Sequence, residues 1–369
     1  MKIGVIKEIK DMESRVALTP SGAQDLIKLG HTILLEKNAG VGSGFTDAEY
    51  KSVGAKIVKT SPAWDTDLVL KIKEPQQEEY QYFKGNILFA YLHLSGVPTS
   101  LTKALLKAKT TAVAYETVED NHGAFPILTP MSAIAGNMSA LVGAYYLAKF
   151  NKGKGVQLGR VQSVRNGKVM VLGDGVVGQH AALTADGMGA NVFLFGRTNN
   201  KFLKLQETAP NNIQFFGSNK NNISHHIRDA DVVIGAVLLP GAKAPHLVSE
   251  LLVKQMQHGS VIVDVSIDQG GCIETSKVTT HSDPVFVKHN ILHYCVSNMP
   301  GAYPRTSTIS LTRVTFPYIN MLAGQGLKVL NKDKRFRKGV NTYQGFITYK
   351  PVAESLGLVS DYKDFLSIK

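Results

Sequence analysis

A chain of 369 residues exceeds the size at which one hydrophobic core usually stops growing, so two domains are expected. Hydrophobic residues make up 44% of it and charged residues 19%, and no apolar stretch is long enough for a spanning helix, so a membrane is excluded as a partner. The formal charge of +12 would suit nucleic acid, but the lysines are dispersed, and the densest cluster, at 328–338, carries no nucleic-acid-binding signature. It reads as a solvated face, and no nucleic-acid partner is expected.

Residues 3–6 form a short apolar strand, followed by a polar loop that ends at Arg15. Thr19-Pro20 supplies an N-cap and a first-turn proline for a helix closed by Gly30, and 32–35 resumes as strand. A glycine-rich loop at 40–44 precedes an amphipathic stretch at 48–53 and a strand at 56–58. Residues 67–72 read as a strand stopped by Glu74-Pro75, which leaves Lys73 at its end. A buried-type strand at 86–92 delivers His93 in the same way. Both therefore stand where open α/β sheets present groups to a ligand. A helix at 101–107, a strand at 111–115 closed by Glu116, and a long small-residue helix at 131–150 complete the first part.

Residues 168–178, KVMVLGDGVVG, read as strand, tight turn and helix start. Gly173, Gly175 and Gly178 have GxGxxG spacing: the first permits the turn, the second lets backbone approach a pyrophosphate, and the third lets the helix pack on the strand. A helix-compatible segment and a second strand at 190–195 follow, as a dinucleotide-binding βαβ unit requires. Short apolar runs at 231–237, 260–265 and 293–296 read as further buried parallel strands. From about residue 306 the chain is helical, and 340–358 ends in a helix. The fold class is α/β, with two Rossmann-like doubly wound domains: 129–305 binds dinucleotide and is inserted into a substrate domain made of 1–128 plus 306–369.

Four residues have complementary chemistry. Arg15 offers the planar fork suited to a carboxylate, and Lys73 a second cation. His93 can move a proton near neutral pH, and Asp268, beside the glycines of a strand-end loop, can orient an amine or water. With a hydride acceptor alongside, this set suits a 2-oxo acid and its 2-amino acid, although spacing does not name the substrate. The two cysteines, Cys272 and Cys295, lack CxxC spacing, and no metal or disulfide framework is expected. The N-terminal MKIGVIKEIK is broken by charges, unlike a secretory signal, so a reducing cytoplasm is the expected compartment.

The motifs KEIKDMESRVALTP (7–20), GVGSGFTDAEY (40–50), KIKEP (71–75), AYLHL (90–94), LTPMS (128–132), VLGDGVVG (171–178), DVSIDQGGCIETS (264–276) and HYCVSNMPGAYPRTST (293–308) resemble the alanine dehydrogenase family. That family is related to the alpha subunit of proton-translocating transhydrogenase. The resemblance implies reversible oxidative deamination of L-alanine to pyruvate and ammonia. In those roles Arg15 and Lys73 bind the substrate carboxylate and carbonyl, His93 is the proton donor and acceptor, and Asp268 serves the amino-group chemistry. It also implies nucleotide contacts from Ser132, Val177, Ser218, Leu238, Ile267, Asp268, Val296, Asn298 and Met299, and a homohexamer.

Some positions depart from the family pattern. Where the second nucleotide strand usually ends in an aspartate that holds the adenosine ribose, this chain has Gly196-Arg197-Thr198. Arg197 is able to pair with a 2′-phosphate, so both NAD(H) and NADP(H) remain open as cofactor. Ala133, Asn137 and Lys277 also differ from the family pattern. The alternatives are a relative acting on another 2-oxo acid and a non-catalytic nucleotide-binding subunit like the transhydrogenase component.

Overall fold

The computed structural model describes residues 1–197, 203, 207, 209, 213–237 and 244–368. Among the described residues fifteen strands follow one another: β1 (Lys2–Val5), β2 (Thr32–Glu36), β3 (Lys56–Val58), β4 (Leu68–Leu70), β5 (Ile87–Ala90), β6 (Thr111–Ala114), β7 (Lys168–Leu172), β8 (Asn191–Gly196), β9 (Ile213–Gly217), β10 (Val232–Gly235), β11 (Val261–Asp264), β12 (Val285–Lys288), β13 (Ile291–Tyr294), β14 (Val340–Tyr343) and β15 (Phe346–Ile347). They build two sheets, ordered β15-β14-β6-β5-β4-β1-β2-β3 and β12-β13-β11-β10-β7-β8-β9. Each lies in its own compact unit, the first comprising Met1–Met131 with Gly301–Lys369 and the second Ser132–Pro300.

Both sheets are parallel at their centres. Antiparallel pairing occurs at one edge of each, where β14 meets β6 and β15, and β12 meets β13. Central strands such as β4 (LVL), β5 (ILFA) and β7 (KVMVL) are buried along their whole length, because helices and loops cover both faces of a doubly wound sheet. Each fully buried Val, Leu or Ile contributes about 1.5–3 kcal/mol, so these strands anchor their units. The second unit has separate apolar clusters on the two sides of its sheet, one around Val169, Val171 and Ile234 and one around Met170, Leu172 and Val233.

In both sheets the strand order reverses beside the first strand. β1 lies between β2 and β4, and β7 between β8 and β10. A crevice forms at the carboxyl ends of strands where neighbouring connections leave in opposite directions, which fixes where each unit can take a ligand.

Several elements go beyond the sequence expectation. β9, β12, β14, β15 and the helices Thr60–Trp64 and Lys220–Ile227 were not anticipated. β14 and β15, VNTY and FI, lie in a stretch expected simply to end in a helix. They are short and partly polar, and sheet pairing rather than intrinsic propensity makes them strands. The long helix covers Leu128–Leu147 rather than 131–150, and the next long helix starts at Pro304, where proline suits the first turn.

Candidate functional site

In the first unit the segments after β1, β4, β5 and β6 leave the same carboxyl edge, because those four strands are parallel neighbours. After β1 comes the loop holding Glu8, Lys10, Glu13 and Arg15. Arg15 is 2% exposed, and its guanidinium forks onto Glu13: Nε donates to Oε1 at 2.7 Å and Nη2 to Oε2 at 2.5 Å. The side face of the guanidinium is thus committed within the protein. Its Nη1 donates to Met131 Sδ at 3.0 Å, a weak acceptor.

After β4 come two lysines with different surroundings. Lys71 is fully buried, and its ammonium bonds Glu79 at 2.9 Å and Glu8 at 3.1 Å, so it holds the loops together. Glu8 in turn accepts from the backbone N–H of Ile72 at 2.7 Å and of Lys73 at 3.4 Å, fixing the backbone of Lys73. Burial pushes the Glu8 carboxyl up to about 7 against the pull of Lys71. The Lys73 ammonium lies 5.9 Å from the centre of the Tyr91 ring.

After β5 the chain turns sharply at His93, whose φ of +46° lies in the left-handed region. Such a conformation costs about 1–3 kcal/mol and persists when the surroundings impose it. Glu116, just after β6, supplies that constraint. Its carboxylate accepts from the His93 N–H at 2.6 Å and from the Leu92 N–H at 3.2 Å, while the His93 carbonyl accepts from Gly96 N–H at 2.7 Å. The imidazole stacks on Tyr91 with centroids 5.8 Å apart and planes 4° from parallel. Lys73 and His93 thus share one aromatic ring. Burial, then the charges of Lys73, Lys10 and Arg15, push the His93 imidazole down to about 3. It is neutral at physiological pH and able to accept a proton.

The second unit has a different kind of edge. At Gly173 φ is +118°, and a Cβ there would stand 2.4 Å from the Ala236 carbonyl oxygen; at Gly178 a Cβ would meet the Gly173 oxygen at 1.8 Å. Nothing lies within 4 Å of the place a Cβ would occupy at Gly175, so that glycine leaves open room beside the backbone. The helix Val176–Gly187 starts there, and its N-cap, Gly175, places no side chain on the first amides. Exposed amides and the positive end of a helix dipole suit a pyrophosphate. The room and the donors fit a dinucleotide.

The remaining nucleotide-contact candidates are distributed along that edge. Val177 is in the first helical turn after β7, and Arg197, exposed, follows β8. Ser218 follows β9, its N–H donating to the Gly196 carbonyl at 2.7 Å. Ile267, buried, and Asp268, exposed, lie in the 3₁₀ turn after β11. Val296, Asn298 and Met299 follow β13, all three buried and Asn298 with φ +61°. Ser132 alone lies away from the strand ends, on the helix Leu128–Leu147. Leu238 lies outside the described residues.

Sequence reasoning missed the carboxylates that hold these sites. Glu13 and Glu116 position Arg15 and His93. Asp264, fully buried, accepts from the backbone of Ser266, Cys272 and Ile273 and from the Ser276 hydroxyl, shaping the loop that carries Asp268. Burial raises its carboxyl despite those donors. Glu13 and Glu116 had a signal, since each neighbours a site segment in the chain. Whether a charge is buried, however, is not written in its spacing.

The N-terminal domain profile of the alanine dehydrogenase/PNT family matches residues 4–135, and the C-terminal domain profile matches 139–350. An alanine dehydrogenase of Staphylococcus haemolyticus is 51% identical over 97% of each chain, and alanine dehydrogenase 2 of Staphylococcus aureus is 48% identical over 98% of each. A solved L-alanine dehydrogenase superposes with a TM-score of 0.94 at 44% identity, covering 97% of this chain and 100% of its own. With both domain profiles matched in order and two relatives about half identical along nearly their whole length, the chain belongs to the alanine dehydrogenase/PNT family.

Proposed function

We propose that the protein interconverts L-alanine and pyruvate plus ammonia with a nicotinamide dinucleotide, the first unit serving as substrate domain and the second as dinucleotide domain. The observation that carries the reading is the cluster at the first sheet's carboxyl edge, where a neutral buried imidazole lies among the charges of Lys73, Lys10 and Arg15. A small acid is what such an edge suits, since its carboxylate answers the cations.

Bound nicotinamide supplies hydride chemistry at the substrate's Cα; the rest falls to side chains. Arg15 takes the carboxylate, its guanidinium held in aim by Glu13. Lys73 draws electron density from the pyruvate carbonyl oxygen, which favours attack at that carbon. His93 accepts the proton released during oxidation and returns it during reduction, and as a neutral base it is already in the accepting form. An arriving carboxylate offsets the neighbouring cations and raises the affinity of His93 for that proton. Asp268 orients the amino group or the attacking water. Val177 and the amides beginning the helix Val176–Gly187 hold the pyrophosphate. Ser132, Ser218, Ile267, Val296, Asn298 and Met299 line the remainder of the nucleotide. Both NAD(H) and NADP(H) fit this part of the reading.

The assembly is a homo-oligomer, with the family's hexamer expected, in the cytoplasm. Exposed Leu141, Tyr145 and Phe150 support an interface between copies. No helix among the described residues is long and apolar enough to cross a membrane. The test is oxidation of each reduced cofactor on addition of pyruvate and ammonium, against a panel of other 2-oxo acids. Turnover with a different 2-oxo acid alone would move the substrate assignment, and turnover with none would sink the reading.

A further inference from the structure

In dinucleotide-binding sheets of this order, a carboxylate at the end of the second strand holds the adenosine ribose hydroxyls and repels a 2′-phosphate. Here that strand is β8, and it ends in Gly196-Arg197 without an acid. The fold nevertheless brings a carboxylate to this place from the neighbouring strand. β7 pairs with β8 as far as Leu172 and Phe195, and the Gly173 N–H donates to the Phe195 carbonyl at 2.8 Å, so residue 174 emerges beside residue 196. Asp174 turns its side chain sideways onto Gly196. A Cβ built at 196 would lie 2.5 Å from Asp174 Oδ2, 2.6 Å from Cγ and 2.8 Å from its Cβ.

The two positions are therefore coupled. A side chain at 196 and the acid at 174 compete for one space, and this chain gives that space to the acid. Asp174 Oδ2 is buried without a hydrogen-bond donor among the described residues, while the residue as a whole is half-buried. A carboxylate left so carries a desolvation penalty that a ligand's hydroxyls, donating to its less buried side, can offset.

Resting on the reading of the second unit as the dinucleotide domain, we infer that Asp174 replaces the missing strand-end acid, binds the adenosine ribose hydroxyls and makes the site select NAD(H) over NADP(H). Arg197, next to Gly196 in the chain and exposed, does not reverse the choice, because a 2′-phosphate would have to enter against the Asp174 charge. The absence of an acid at 196 is then the consequence of moving it to 174.

Direct titration of NADH and NADPH into the full-length protein, without substrate and followed by calorimetry or nucleotide fluorescence, tests this. Wild type binds NADH at least about tenfold more tightly. Asp174→Asn keeps the shape, removes the charge and collapses that ratio by about tenfold, mainly through weaker NADH binding. Gly196→Asp alone collides with Asp174 and weakens both nucleotides. In the double variant Asp174→Ala with Gly196→Asp the collision is gone, the acid returns to the strand end, and the NADH preference recovers. Equal affinities in wild type, a preference for NADPH, an unchanged ratio in Asp174→Asn, or no recovery in the double variant overturns the assignment. These are binding measurements, so a protein that holds NADH selectively but fails to turn over pyruvate leaves this inference standing while the substrate reading falls.

Discussion

Numbered over its mutually parallel strands alone, each sheet has the same order, 3-2-1-4-5-6: β3-β2-β1-β4-β5-β6 in one and β9-β8-β7-β10-β11-β13 in the other. Their carboxyl edges are nevertheless made of different materials. The first is crowded with buried charge: Glu8, Glu13, Arg15, Lys71, Lys73 and Glu79 are each at most 8% exposed. At the start of the second, glycines replace side chains, leaving open backbone and helix amides beside β7. One topology provides a crevice in each unit, and the residues after each strand decide what it holds. The first edge is suited to a small charged molecule that must be gripped and deprotonated, the second to an extended one that must lie along the backbone.

The largest expected effect distinguishes grip from chemistry at the first edge. His93→Asn preserves a residue type that tolerates the left-handed conformation. Steady-state rates are expected to drop by about 10³-fold or more, with dinucleotide affinity unchanged, because general acid–base catalysis is worth about 10²–10⁴. Near-wild-type turnover would remove His93 from its role.

Next comes the division of labour between the two lysines. Lys71→Met leaves Glu8 and Glu79 buried without their cation and is expected to cost about 3–5 kcal/mol in denaturant unfolding. Lys73→Met should abolish most turnover while the fold survives, since Glu8 and Glu79 keep the Lys71 ammonium. Interchanged outcomes would reverse the two assignments.

How much of this was legible in the chain differs between the two edges. The glycine turn could be read because its spacing reflects backbone geometry directly: Gly178 is tied to Gly173, five residues earlier. At the first edge Lys73 and His93 could be placed at strand ends, because β4 and β5 are continuous apolar runs. Their supporting carboxylates could not. The segment from Lys7 to Arg15 has the composition of a solvated loop, yet Glu8, Glu13 and Arg15 are buried in it, since their partners come from the loops after other strands and from each other. Asp174 was equally hidden. In the sequence it is the variable residue of a glycine motif, and only the pairing of β7 with β8 brings it to Gly196.

Two glycines sharpen the reading of the second edge. Gly178→Ala forces a methyl group onto the Gly173 oxygen and is expected to destabilise the protein by about 2–4 kcal/mol and to abolish nucleotide binding. Gly175→Ala meets open space and adopts an unstrained φ of −77°. Its melting temperature should therefore stay close to wild type while NADH affinity falls, since the added methyl occupies room meant for the ligand. A Gly175→Ala protein that binds NADH normally would show that the pyrophosphate lies elsewhere.

The smallest effect concerns acid stability of the first edge. Folded His93 is held near 3, against 6.5 for an ordinary imidazole. Between those values the unfolded chain binds a proton that the folded chain refuses, so stability falls as pH drops through that window. At pH 5.5, one unit inside it, the cost is about 1.4 kcal/mol. Glu8, raised to about 7, acts in the opposite direction: its protonated form favours the fold, and its contribution is lost as pH rises through neutrality. The net wild-type profile therefore blends two opposed slopes. Subtracting the profile of His93→Asn from that of wild type in chemical denaturation, between pH 7.5 and 5.5, isolates the histidine. The difference should grow steadily toward acid, and a flat difference would mean that the imidazole is solvated and titrates near its ordinary value.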